Sequence, residues 1–137
     1  MSSTHFRLVL VASMILGLIG GFFDLMFPSA VPEALSQAQA AYDAELSTPA
    51  LIVAVLVGLI TLVGGIAAFV GLFIFRPWAP RLAVVTTALA LFVWPALGAN
   101  VSSGWSVALA DLSSTLWGVV LAVVYFSPLK ERFIATR

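Results

Sequence analysis

The sequence Arg76-Pro77-Trp78-Ala79-Pro80-Arg81 separates two long apolar stretches and carries two of the six Lys and Arg residues of the chain. The other basic residues flank the first and last apolar stretches: Arg7, Lys130, Arg132 and Arg137. The charged residues of the segment between the first and second stretches are all acidic: Glu33, Asp43 and Glu45. Because Lys and Arg in short loops stay on the cytoplasmic side, we predict that both termini and the link 76–81 are cytoplasmic.

The composition indicates the same class of protein. In 137 residues, 62% are hydrophobic and 9% are charged, which is far from the composition of a water-soluble domain. The net charge is zero and no basic patch lies outside the loops, so nucleic acid is not an expected partner. The absence of cysteine and the single histidine, His5, argue against a disulfide framework or a metal site. We expect no cofactor.

The apolar stretches predict an all-α integral membrane protein, an antiparallel bundle of four transmembrane helices in one domain that covers residues 1–137. About 20 residues of helix cross the hydrocarbon core. The predicted helices cover about 6–27, 50–75, 80–98 and 105–126. Pro77 and Pro80 end the second helix and begin the third, because proline fits a first helical turn but interrupts a helix interior.

A short amphipathic helix is predicted outside the membrane, at about 32–46 between helices one and two. Its apolar residues recur at helical spacing: Leu35, Ala38, Tyr42 and Leu46. It is either a cap over an outward-facing cavity or a connector that rests on lipid headgroups. We favour the connector.

Basic and aromatic residues near the helix ends are typical anchors at the two membrane interfaces. They are Arg7, Arg76, Trp78, Arg81, Trp105, Tyr125, Lys130 and Arg132.

Small residues recur in steps of three and four along three of the helices, and such positions allow helices to pack closely in lipid. The predicted packing seams are Ser13, Gly17 and Gly20 on helix one; Ala54, Gly58, Thr61, Gly65 and Ala68 on helix two; and Ala108, Gly118 and Ala122 on helix four. Packing within one monomer is favoured over a dimer contact.

Two carboxylates, Asp24 and Asp111, lie on these seams, and we expect both to face protein in the outer half of the membrane. Burying an ionised Asp near the bilayer centre costs about 2.5–3.5 kcal/mol, so such residues often mark a cavity, an ion path or a paired site. Hydroxyl groups near Asp111 complete a candidate polar pocket: Ser106, Ser113, Ser114 and Thr115. A structural role is an equal alternative for Asp111 and the favoured one for Asp24, which lies nearer to water.

Catalysis is not expected. Neither Ser113 nor Ser114 has a histidine or lysine base at membrane depth. The Gly-x-Gly-Asp motif of intramembrane aspartyl proteases is absent, since helix one offers Gly20-Gly21-Phe22-Phe23-Asp24.

The expected function is that of a small inner-membrane (plasma-membrane) protein, an interaction, accessory or regulatory subunit, including the immunity type. The expected partners are the lipid bilayer and either a second copy of the chain or a larger membrane protein. The alternative is a small-solute or proton- or cation-linked transporter with an outward-facing carboxylate pocket, which would bind a small ligand.

Overall fold

A computed structural model describes residues 2–45, 48–96 and 100–134, which are entirely helical apart from turns. The elements are α1 (Ser3–Met26), a 3₁₀ turn (Pro28–Ala30), α2 (Glu33–Glu45), α3 (Thr48–Phe73), α4 (Ala79–Ala96), α5 (Gly104–Phe126) and α6 (Lys130–Ile134). These bounds differ from the predicted ranges by at most three residues. The predicted ends at 46 and 98 lie outside the described residues.

Within the described residues, three helices are long and apolar enough to cross a membrane: Ser3–Met26, Val55–Phe73 and Gly104–Phe126. A shorter apolar helix covers Ala79–Phe92. Large apolar side chains lie on the outside, with Phe92 81% and Phe126 90% exposed. Apolar surface of this extent fits lipid as the surrounding solvent. The described chain is all-helical, as predicted, and is consistent with a helical membrane protein.

The long helices form two close pairs. α1 packs along α5, and α3 packs along α4, whereas contacts between the pairs are few. The pairs meet at one end, where the rings of Phe6, Phe75 and Phe133 form an aromatic cluster with centroids 5.2–6.3 Å apart. The start of α1, the end of α3 and α6 therefore lie at the same end of the molecule. We call it the basic end because it carries Arg7, Arg76, Arg81, Lys130 and Arg132.

The end of α3 is closed by a turn in which Phe75 has φ 59°, the left-handed region. The Arg76 N–H donates to the Gly71 carbonyl at 2.7 Å, and the Phe75 N–H donates to the Leu72 carbonyl at 3.2 Å. This is the hydrogen-bond pattern of a Schellman motif, in which glycine is the usual left-handed residue. A bulky residue at that position is disfavoured, so the packing of its buried ring must offset the cost.

Two guanidinium groups lie over the Phe75 ring, that of Arg7 at 5.3 Å and that of Arg132 at 5.8 Å from the centroid. Arg7 also lies 5.0 Å from the centroid of Phe73, and its Nε donates to the Phe73 carbonyl at 3.2 Å. A cation at a helix C-terminus interacts favourably with the helix dipole. Arg7 thus joins the first turns of α1 to the last turn of α3.

The α3–α4 contact depends on two glycines seven residues apart. A Cβ added at Gly64 would lie 2.5 Å from Thr86 Cγ2, and one added at Gly71 would lie 2.6 Å from Ala79 Cβ. Residues seven apart share one helix face, so this is the face that α3 turns toward α4.

The structure corrects the predicted seam on α3. Ala68 is fully buried, but a Cβ added at Gly58 or Gly65 would meet nothing within 4 Å. Thr61 is half-buried, and the surroundings of Ala54 lie outside the described part of the chain. Gly58 and Gly65 are offset by one position, about 100° around the helix, from the line of Gly64 and Gly71, whereas Ala68 lies three or four residues from both and shares their face.

We expect Gly64→Ala to lower the free energy of unfolding in mixed micelles by about 1–3 kcal/mol, because the new methyl group collides with Thr86. Thr86 is 8% exposed and its hydroxyl donates to the Leu82 and Ala83 carbonyls, so it cannot turn away without losing those bonds. The matched control is Gly58→Ala, which fills open space and replaces glycine with a better helix former. Equal effects of the two substitutions would contradict the assignment of the α3–α4 face.

Candidate functional site

Hydroxyl groups of α5 bind backbone carbonyls of α1. The Ser106 hydroxyl donates to the Gly20 carbonyl, and the Ser113 hydroxyl donates to the Ser13 carbonyl, both at 2.7 Å. The pairing runs in opposite senses along the two chains, as antiparallel helices require. The Ser13 hydroxyl donates within its own helix to the Leu10 carbonyl at 2.8 Å.

Small residues on α1 allow this approach. A Cβ added at Gly20 would lie 3.0 Å from the Ala110 backbone nitrogen, and one added at Gly17 would lie 2.8 Å from Ser113 Oγ. Ser13 and Gly20 are buried. The predicted seam of helix one therefore lies in the α1–α5 contact, where close backbones bring each serine hydroxyl to a carbonyl.

Asp24 lies at the N-terminus of α5. Its Oδ2 accepts from the Ser103 backbone N–H at 2.9 Å, and the Ser103 hydroxyl in turn accepts from the Ser106 N–H at 3.2 Å. A Glu three residues after the cap often binds the N–H of the cap residue; here a carboxylate from a different helix does so. The positive end of the α5 dipole favours a negative group at this place.

A cavity of about 220 Å³ borders Asp24, lined also by Pro28, Val31, Ser36, Gln39 and Val101. The second carboxylate oxygen of Asp24, Oδ1, is buried and has no hydrogen-bond partner in the part of the chain that the structure describes.

The helix α2 covers this cavity with its polar side. Gln39 Oε1 accepts from the Val101 N–H at 3.2 Å. Leu35 and Tyr42, from the predicted apolar face, are 48% and 38% exposed, and Ala38 is also exposed; Leu46 lies outside the described residues. The helix thus covers a small cavity, as in the cap interpretation, and turns apolar side chains outward, as the connector interpretation requires.

Asp111 is exposed and does not join Asp24. It lies eight residues beyond Ser103, about 12 Å along α5, and two residues, about 200° of rotation, from Ser113. The Ser114 and Thr115 hydroxyls both donate to the Asp111 backbone carbonyl at 2.8 Å. The predicted polar pocket is therefore wrong as a single site, because its hydroxyl groups bind backbone carbonyls and its two acids lie on different surfaces.

The predicted seam of helix four faces outward. Ala108, Gly118 and Ala122 are exposed, as are Asp111 and Thr115 between them. These five residues are named here the α5 stripe. A Cβ added at Gly118 would meet nothing within 4 Å. The buried residues of α5 are Val120 and Val124. The interior face of α5 lies on the opposite side of the helix from the α5 stripe. It carries Ser106 and Ser113, whose hydroxyl groups bind carbonyls of α1.

The predicted anchors divide between the two ends. The basic end carries Arg7, Arg76, Trp78, Arg81, Tyr125, Lys130 and Arg132, in contact with the aromatic cluster or close to it. Trp105 lies at the opposite end, on the first turn of α5, and is 70% exposed. Aromatic side chains therefore occur at both ends of the long helices, as the interface-anchor interpretation requires.

An open cleft separates the two helix pairs at mid-depth. Openings of about 350 and 360 Å³ share a lining of Gly17, Thr61, Gly65, Ser113 and Trp117. Trp117 Nε1 donates to Thr87 Oγ1 at 2.8 Å, which joins α5 to α4. Of the described residues that line these openings, none carries an ionisable side chain. The cleft therefore suits apolar groups, such as lipid chains or apolar side chains, rather than a charged solute.

The sequence interpretation overlooked three of these features: the glycine pair Gly64 and Gly71, the Trp117–Thr87 bond, and the role of Ser106 and Ser113 in packing. The sequence did contain a signal for the glycine pair and for the packing role of the two serines. Gly64 and Gly71, Ser13 and Gly20, and Ser106 and Ser113 are each seven residues apart. This is the spacing at which small residues return to one face of a packed helix. The Trp117–Thr87 bond has no such signal.

Comparison with known proteins gives no relative. The chain matches no protein-family model, no curated protein and no solved structure. Within the described residues, no three His, Cys, Asp or Glu side chains lie close enough together to hold a metal ion. The functional argument therefore depends on the geometry of this chain.

We expect Asp24→Ala to lower the free energy of unfolding by about 1 kcal/mol, because the Ser103 N–H loses its acceptor and the N-terminus of α5 loses a favourable charge. Asp24→Asn keeps an acceptor oxygen of the same size and should cost less. Unfolding in mixed micelles, followed by circular dichroism, measures both. A loss with Asn as large as that with Ala would show that the hydrogen bond to Ser103 contributes little.

Proposed function

We propose that this protein is an accessory or regulatory subunit of the inner (plasma) membrane that docks through the α5 stripe onto another membrane protein or onto a second copy of itself. The observation that carries the proposal is the exposed carboxylate of Asp111 in the middle of an apolar helix.

An exposed acid at this depth needs a covering group. Asp111 lies seven residues after Gly104, about 10 Å inside the helix. A charged side chain near the bilayer centre costs about 2.5–3.5 kcal/mol, so such a residue faces protein or water in a finished assembly. On this chain it faces neither α1 nor the cleft. A helix from a partner, with a hydrogen-bond donor or a cation at this depth, would remove that cost.

The residues beside Asp111 fit helix docking. Ala108, Thr115, Gly118 and Ala122 have small side chains or none, which lets another helix approach the α5 backbone. Close approach also brings a partner's polar groups within hydrogen-bond distance of Asp111. The small residues and the acid thus support one surface rather than two.

The separation of Asp24 from Asp111 favours this class over transport. The transport alternative depended on one pocket shared by both acids. Asp24 instead caps α5 beside a cavity of about 220 Å³, and the central cleft has no ionisable lining among the described residues. Outside the long helices, the described chain forms only α2, α6 and short turns, which offers little surface for chemistry in water.

The proposal includes four antiparallel spans with both termini cytoplasmic. α4 has 18 residues, about 27 Å of helix, and packs along α3. A hydrocarbon core of about 30 Å is within its reach when flanking residues adjust. The Arg and Lys residues at the basic end support the cytoplasmic location of that end.

Cysteine labelling tests this topology, and the chain contains no cysteine of its own. In intact cells, a membrane-impermeant maleimide should label Ala40→Cys and Ser102→Cys but should label Glu131→Cys only after the cells are opened. All three positions are exposed. Labelling of Glu131→Cys in intact cells would refute the proposed orientation.

Site-specific photo-crosslinking tests the docking surface. A photoreactive residue at Ala108 or Gly118 should give a discrete adduct, whereas the same residue at Ile60 or Val85 should give only a lipid background. Ile60 and Val85 are 59% and 60% exposed on α3 and α4, which makes them matched lipid-facing controls. The mass of the adduct, measured by mass spectrometry, distinguishes a second copy from another protein.

The adduct should also depend on Asp111. Asp111→Leu removes the polar contact and should weaken docking about fivefold, the effect of one interhelical hydrogen bond of about 1 kcal/mol. An adduct that forms equally well at Ile60 and Val85, or no adduct at any position, would overturn the proposal.

A further inference from the structure

We propose that a cavity at the basic end binds the headgroup of an anionic phospholipid. The cavity measures about 580 Å³, and its walls include Trp78, Arg81, Tyr125, Lys130, Phe133 and Ile134. These residues come from the α3–α4 link, α4, α5 and α6. The inference is independent of the α5 stripe, and it requires only that the chain lies in a bilayer.

The two cations of this cavity are available for an anion. Arg81 and Lys130 are exposed, and neither forms an ion pair with the described part of the chain. Arg7 and Arg132, by contrast, have their guanidinium groups over the ring of Phe75. A guanidinium fork and an ammonium group that face one cavity are well suited to the oxygen atoms of a phosphate.

The other walls indicate that the phosphate belongs to a lipid. Trp78 and Tyr125 are 47% and 42% exposed, and such side chains favour the headgroup level of a membrane. Ile134, which is 65% exposed, adds apolar surface. A free phosphate ion gains nothing from apolar walls, whereas a phospholipid presents an anion and an apolar body side by side. Basic cavities between helices on the cytoplasmic side are a general form of lipid headgroup site.

Neighbouring contacts hold the cavity in shape before any lipid arrives. A Cβ added at Gly71 would lie 2.8 Å from the Trp78 ring, so the ring rests directly on the last turns of α3. Leu129 and Phe133 are buried, which fixes α6 against the aromatic cluster. The Lys130 N–H donates to the Ser127 carbonyl at 3.1 Å. A lipid would therefore meet walls that are already in place.

Native mass spectrometry of the whole protein in a neutral detergent tests the inference. The protein is titrated with phosphatidylglycerol or with phosphatidylcholine of the same acyl chains, and the dissociation constant of the first bound lipid is measured. The site variant is Arg81→Gln with Lys130→Gln. The matched control is Arg76→Gln with Arg132→Gln, which removes the same charge from the same end of the molecule but replaces no residue of the cavity lining.

We expect the first phosphatidylglycerol to bind more tightly than phosphatidylcholine, and the site variant to weaken its binding about 25-fold, from two cations at about fivefold each. The control should retain most of the affinity, and phosphatidylcholine should respond to neither change. The single variants Arg81→Gln and Lys130→Gln, each about fivefold weaker, keep the test decisive if the double variant does not fold, which thermal unfolding would reveal.

Three results would overturn the inference. Equal losses in the site variant and the control would mean that diffuse charge attracts the lipid. Equal affinities of the two lipids would mean that the headgroup is not recognised. Displacement of phosphatidylglycerol by millimolar inorganic phosphate would mean that the cavity recognises the free ion rather than a lipid.

Discussion

The hydrogen bonds from Ser106 and Ser113 to the carbonyls of α1 depend on one constraint, the close approach of two helix backbones. Lipid tails are as apolar as leucine side chains, so helices in a bilayer gain little from hiding apolar surface and associate through close packing and polar contacts. Gly17 and Gly20 provide that closeness. The same contact brings the C-terminal end of α1 to the start of α5, where Asp24 caps the helix.

The second helix pair attaches mainly at the basic end. There the rings of Phe6, Phe75 and Phe133 pack together, and Arg7 binds the end of α3. Two basic residues of this end, Arg7 and Arg132, also lie over the Phe75 ring. Away from this end the pairs separate, which leaves the apolar cleft and the single Trp117–Thr87 bond between α5 and α4 among the described contacts.

Two aspartates of similar sequence context have different surroundings. Asp24 accepts a hydrogen bond from one backbone N–H, that of Ser103, at the N-terminus of α5, where a negative charge is favourable. Asp111 faces outward from a stripe of small residues, where lipid would leave it unsatisfied. The proposed docking surface lies at mid-depth on α5, and the proposed lipid cavity lies at the basic end, so a partner helix and a phospholipid would occupy separate parts of the molecule.

The sequence by itself determined the helical membrane class and the positions of the helices, since hydropathy, proline and charge act on each segment separately. It also indicated the packing face of α1. Only the tertiary structure decided which faces of α3 and α5 are buried, because small residues occur on more than one face of each. Gly64 and Gly71 rather than Gly58 and Gly65, and Ser106 and Ser113 rather than Asp111, meet a neighbour. The face that a helix buries is set by the shape and the hydrogen-bonding groups of the helix opposite, which no single segment of sequence contains.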